Sequence, residues 1–125
     1  MITEKQLHAQ ICHYLDLQYP TVMYNTDLSG IKLSIGQAVQ VKKLRSNNGF
    51  PDIFIIKKNN IFSGLFLEVK RSENEVWAKN GHWKTPHIRE QADILDRLRD
   101  EGFSCQFVYS FDMAKIFIDN YMSLK

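Results

Sequence analysis

At 125 residues and 44% apolar, the chain reads as one globular domain spanning residues 1–125, with no room for two independent cores. No apolar run approaches the roughly 20 residues a membrane helix needs. The charged start Met1–Gln6 also lacks the apolar stretch of a signal peptide, so a cytoplasmic location is expected. The net charge of +2 says nothing by itself about partners, but Lys42, Lys43 and Arg45 form one basic cluster and Lys70, Arg71, Lys79, Lys84 and Arg89 a second. Each cluster is either a solvated face or a set of phosphate contacts.

Thr3 with Gln6 makes a capping box, each side chain satisfying an orphan amide of the other residue. Leu7, Ile11 and Leu15 follow at helical spacing, which predicts a helix from Thr3 to Gln18, stopped near Pro20. Val22–Asp27 reads as a strand. Residues 28–50 are dominated by loop signals at Gly30, Gly36 and Ser46–Gly49, with a short helix between Gln37 and Arg45. Asp52–Ile56 is a β-branched apolar run, Lys57–Asn60 a turn, and Ile61–Lys70 the returning strand of a hairpin. Both runs are apolar on both faces, so both faces should be covered.

Residues 71–85 are polar, carry Trp77, Gly81, His82 and Trp83, and read as a long loop. Pro86 opens a helix that runs to Glu101 and ends at Gly102. Phe103–Tyr109 is a strand, and Ser110 caps a last helix through Tyr121. The strand–helix–strand run from Glu68 to Phe107 implies a parallel pair with a right-handed crossover. The expected fold is therefore α/β, a mixed sheet with flanking helices in the order αβββαβ plus a C-terminal helix. Cys12 and Cys105 sit in apolar contexts without C-x-x-C spacing, and we read both as reduced packing residues. His8, His13, His82 and His87 lack zinc spacing and read as structural or surface residues.

Along Gly64–Lys70 the side chains alternate, so Glu68 and Lys70 share one face while Leu65, Leu67 and Val69 take the other. Charges at the end of a buried strand must be paired or bound to an ion. Asp52 opens the preceding strand sixteen positions earlier, and a turn centred near residue 60 brings it level with Glu68. Two carboxylates and an ammonium are expected to converge there, a donor set suited to Mg²⁺ or Mn²⁺. The plainer alternatives are a surface ion pair on an edge strand and a turn aspartate after Pro51. Gln91 interrupts the apolar stripe Ile88, Leu95, Leu98, and Glu4 lies in line with Leu7 and Ile11. Either side chain could face the carboxylates, or be a boundary residue and a first-turn acid respectively.

Pro51-Asp52 followed by Glu68-Val69-Lys70 resembles the signature of the PD-(D/E)xK nuclease superfamily. The longer run is similar to its virus-type replication-repair nuclease domain, VRR-NUC, in the small stand-alone form found in phages. That run is Gly49–Asp52, Gly64–Lys70, and Gln91 with Leu95 and Leu98 before Gly102-Phe103. The resemblance covers residues 3 to about 121. It implies a restriction-endonuclease-like core and a Mg²⁺-dependent DNA endonuclease, with Mn²⁺ able to substitute, acting on branched or junction DNA in some members and forming a homodimer. It implies Asp52, Glu68 and the Val69 backbone carbonyl as metal ligands, with Glu4 as a less secure addition. Lys70 would orient the attacking water, and Gln91 would support the site. Lys42, Lys43, Arg45, Arg71 and Lys84 are the candidate DNA contacts. The alternatives are a non-catalytic DNA-binding protein on a nuclease fold and an interaction domain with charges on a sheet edge.

Overall fold

The computed structural model describes residues 2–26 and 51–125. The short helix expected near Gln37–Arg45 and the basic cluster Lys42, Lys43 and Arg45 lie outside the described residues. Helix α1 spans Glu4–Gln18, and Thr3 caps it as the sequence demands. The Gln6 amide donates to Thr3 Oγ1 at 3.1 Å, and the Thr3 amide donates to Gln6 Oε1 at 2.8 Å. Strand β1 is Met23–Thr26, β2 is Ile53–Ile56 and β3 is Leu65–Val69. A four-residue helix, α2, covers Glu73–Val76. Helix α3 runs over Pro86–Asp100, β4 over Ser104–Val108 and α4 over Phe111–Ser123.

The four strands lie in sequence order, antiparallel from β1 to β3 and parallel between β3 and β4, with α3 as the crossover. Helix α3 begins on Thr85, whose Oγ1 accepts from the Ile88 amide at 3.1 Å, with Pro86 in the first turn. It ends in a Schellman turn. Gly102, at φ 95°, donates to the Arg99 carbonyl and Phe103 donates to that of Leu98. A side chain at residue 102 would strain that backbone, which is why a glycine stands between helix and strand.

Because residues alternate across the sheet, β3 feeds two cores. Leu65, Leu67 and Val69 pack with Ile53 and Ile55 against Leu7, Ile11 and Leu15 of α1 and Ala114, Ile118 and Tyr121 of α4. On the opposite face Phe66 packs with Leu95 and Cys105, flanked by Phe54, Leu98, Phe103 and Phe107. Phe54 and Phe66 stack at 4.2 Å, and Phe103 meets both edge-on. Gly64 permits this closure, since a Cβ there would stand 2.6 Å from the Phe54 ring and 3.2 Å from the Ile55 carbonyl oxygen. Tyr14 and Tyr19 of the α1 end both donate to Asp119, tying α1 to α4. Cys12 and Cys105 are free thiols, and burial pushes both up to about 11, so both stay protonated packing groups at neutral pH.

The strand expected from Ile61 begins only at Leu65. Asn59 accepts from the Ile61 and Phe62 amides, and this local turn takes the bonds a ladder would have used. Residues 71–85 are not a featureless loop: they contain α2 and a short antiparallel bridge between Trp77 and Trp83.

Candidate active site

The hairpin register decides where the charges meet. Ile53 pairs with Leu67, Phe54 with Phe66 and Ile55 with Leu65. Carried one position further, the same register sets Asp52 against Glu68. The Asp52 side chain folds onto the end of β3, and its Oδ2 accepts from the Val69 amide at 2.8 Å. The carboxylate thus takes a ladder acceptor's place where Pro51 precedes it in the chain. Glu68 and Lys70 point to the α3 side, beside Phe66. Lys70 Nζ lies 3.3 Å from Glu68 Oε1, and Gln91 Nε2 donates to the same oxygen at 2.9 Å.

These groups are taken out of water. Glu68 is 2% exposed, Gln91 5% and Lys70 7%. Burial raises the Glu68 pKa well above its ordinary value. The nearby Asp52 raises it further, and Lys70 only partly opposes the shift. Burial also raises Asp52, against the stabilising bond from Val69. Two acids and one ammonium therefore carry one uncompensated negative charge when both acids are ionised. Among the described residues, Glu68 Oε2 and Gln91 Oε1 are buried without a hydrogen-bond partner when both acids are ionised, and the Glu68 and Asp52 carboxyls lie close enough to share a proton. An orphaned carboxylate oxygen beside a second carboxylate is a place where a cation would lower the energy.

The first turn of α1 reaches this end of the sheet. Glu4 is exposed, yet partial burial of its carboxyl raises its pKa, with Lys70 opposing and Asp52 reinforcing the shift. His8, set aside in the sequence as a surface or structural histidine, stands one turn further on and is near enough to act electrostatically on Asp52. Its signal was the Glu4–His8 spacing, which places both on one helix face. Among the described residues, no three His, Cys, Asp or Glu side chains converge into a cage for an ion. The oxygens here that could hold an ion are the two carboxylates and the Val69 carbonyl, which points to the same side of β3 as the amide held by Asp52. Such a partial set suits Mg²⁺, which keeps waters and takes phosphate oxygens.

Of the candidate DNA contacts, Arg71 is exposed and paired with Glu75 at 3.1 Å, and Lys84 is exposed. Both line a groove of about 470 Å³ with Asn74, Glu75 and Thr85. Among solved structures, a "VRR_NUC domain protein" is similar to this chain with a TM-score of 0.68 at 18% identity, over 99% of this chain and 91% of that one. The chain has the VRR_NUC fold. No protein-family model and no curated protein matches the sequence. In the VRR_NUC fold seen here, a mixed sheet flanked by helices carries the Asp52–Glu68–Lys70 group at one end. No helix among the described residues is long and apolar enough to cross a membrane.

Proposed function

We propose that the chain is a single-domain, Mg²⁺-dependent DNA endonuclease, with Mn²⁺ able to substitute. The observation that carries this reading is a buried Glu68–Lys70 pair with half-buried Asp52 beside it and a Glu68 oxygen left without a hydrogen-bond partner among the described residues. Structural ion pairs have no need of a second acid. Asp52, Glu68 and the Val69 carbonyl would hold the ion, with Glu4 reaching it from α1. The ion, when bound, supplies a Lewis acid at a nonbridging phosphate oxygen and lowers the pKa of a coordinated water.

The protein's own part is positioning. Lys70 holds the attacking water against the phosphorus and offsets charge as the pentavalent phosphorane forms. Water adds to phosphorus and gives up a proton to solvent, the bond to the leaving sugar oxygen breaks, and that oxygen takes up a proton from solvent. Gln91 holds Glu68 Oε1 from α3, which would leave Oε2 free for the ion. Arg71 and Lys84 would contact the backbone phosphates beside the cut, along the groove they line from the residue that follows Lys70 in the chain.

A digest of supercoiled plasmid with Mg²⁺ or Mn²⁺, against an EDTA control, tests the reading. Labelled linear, flap and four-way-junction DNA then define the substrate. Failure to cut any of these with any divalent ion would leave a DNA-binding protein on a nuclease fold. Gln91→Ala is expected to lower cleavage by about 10- to 100-fold, the usual effect of losing a hydrogen bond to a ligand. Raised metal concentration should restore part of the rate, which a metal titration of initial rates measures. The homodimer implied by small stand-alone members is tested by sedimentation velocity.

A further inference from the structure

The chain's two tryptophans take no part in the chemistry above. Trp77 and Trp83 face each other across a short antiparallel bridge. Ala78 donates to the His82 carbonyl at 2.9 Å, Gly81 donates to that of Ala78 at 3.0 Å, and Gly81 turns the chain at φ 83°. The indoles stack with centroids 4.3 Å apart and planes at 17°. A ribbon this short does not hold its shape alone, so it is anchored at its base. The inner indole, Trp83, packs 5.8 Å from Phe107, and the Lys84 amide donates to the carbonyl of buried Val76 at 2.9 Å. Trp77 is the outer indole and remains 39% exposed.

Phe107 links the pair to the carboxylates. Phe107 is in parallel register with Glu68 and shares its face of the sheet. A row therefore runs from Glu68 through Phe107 and Trp83 to Trp77. With strands about 4.8 Å apart and ring contacts of 5.8 and 4.3 Å, the path along that row is on the order of 15 Å, so Trp77 lies within the span of a few nucleotides of Glu68. The segment from Trp77 to Thr85 carries Lys79, His82 and Lys84 and no acid. The adjoining groove has one acid, Glu75, already paired with Arg71. An open indole face beside cationic side chains matches a nucleic acid that offers both a phosphate and an uncovered base. In an intact duplex the base faces are covered by their neighbours, whereas unpaired bases stack on aromatic side chains.

We propose that Trp77 is a stacking platform for an unpaired nucleobase. The preferred substrate then carries a single-stranded segment within a few nucleotides of the cut, as in a flap, splayed arm or junction. The word "cut" rests on the nuclease reading; the stacking does not.

The test uses the full chain in EDTA at low salt, where nothing is cleaved. Both tryptophans belong to the ribbon, so intrinsic fluorescence reports it alone. A fluorescein-labelled oligo(dT), an oligo(rU) and a blunt duplex are titrated by anisotropy and by tryptophan quenching. Wild type should bind oligo(dT) with quenching. Trp77→Ala should weaken that binding by about fivefold or more and leave duplex affinity within about twofold, while Trp77→Phe should keep most of it. Equal binding of oligo(rU) assigns the platform to unpaired bases of either sugar, and weaker binding assigns it to DNA.

The proposal fails if oligo(dT) does not bind, or binds without quenching. It also fails if Trp77→Ala leaves both affinities unchanged or lowers both equally, as for a surface meant for a protein partner. Retained Trp77-dependent binding with no cleavage of any DNA under Mg²⁺ would remove the nuclease reading alone. Cleavage with a flap-to-duplex ratio indifferent to Trp77→Ala would remove this inference alone.

Discussion

Lys70→Met should lower metal-dependent DNA cleavage by about three orders of magnitude, in line with the loss of a positioned charge in a water-poor site. Methionine keeps most of the volume and the apolar stem, so the pocket is not emptied. The backbone bond from the Lys70 amide to the Val108 carbonyl, at 2.8 Å, is untouched by the change. Only the ammonium is lost, and with it the one cation bonded to Glu68 among the described residues. The measurement is single-turnover cleavage with enzyme in excess and Mn²⁺ present, alongside far-ultraviolet circular dichroism to confirm the fold. Lys70→Arg should not rescue the rate, since a planar fork cannot take the place of a compact ammonium at this depth. A folded Lys70→Met protein cutting at the wild-type rate would remove the proposed role.

Glu68→Gln should show the opposite signs for activity and stability. Cleavage should fall at least as far as for Lys70→Met, because the substitution removes an ion ligand. In EDTA at neutral pH, however, the variant should melt a few degrees higher than wild type. Burial raises the Glu68 carboxyl well above its ordinary value, so folding at neutral pH costs either a charge taken out of water or the uptake of a proton, and the amide removes that cost while keeping an acceptor for Gln91. Relief of a buried, uncompensated charge is worth about 1–3 kcal/mol.

The pH dependence follows from the direction of the shifts. Glu68 and Asp52 both have folded values raised above their unfolded ones. The native state therefore binds more protons than the unfolded state across the interval between those values. Wild-type stability in EDTA should fall as pH rises from the unfolded carboxylate range, about 4, through the raised native values. Glu68→Gln should lose most of that slope. Divalent ions should restore stability to wild type and do so more strongly as pH rises, because the ligands must be deprotonated to bind them. Melting curves over a pH series, with and without Mn²⁺, check each sign.

Much of this arrangement was legible because it follows from period and register. The alternation along Gly64–Lys70 assigned faces, and the sixteen-residue interval between Asp52 and Glu68 fixed the hairpin centre that the register bears out. Gln91 was visible as a polar break in an apolar stripe, and its buried bond to Glu68 gives the reason for the break. What could not be read depended on side chains satisfying backbone locally. Ile61 and Phe62 have strand composition, yet Asn59 captures their amides and delays β3. The ribbon around Gly81 lacks apolar alternation, since two stacked indoles rather than a pleated face hold it. His8 carried no pattern of its own, and its place near Asp52 comes from how α1 crosses the sheet end.

The bond from the Val69 amide to Asp52 Oδ2 has one more use. It ties a backbone proton to an acid that would otherwise be spectroscopically silent. The nitrogen–proton resonance of Val69 becomes a sentinel inside the site: its position tracks the ionisation of Asp52, and any ligand that pulls that carboxylate away must register there, with isotopic enrichment alone and no side chain altered.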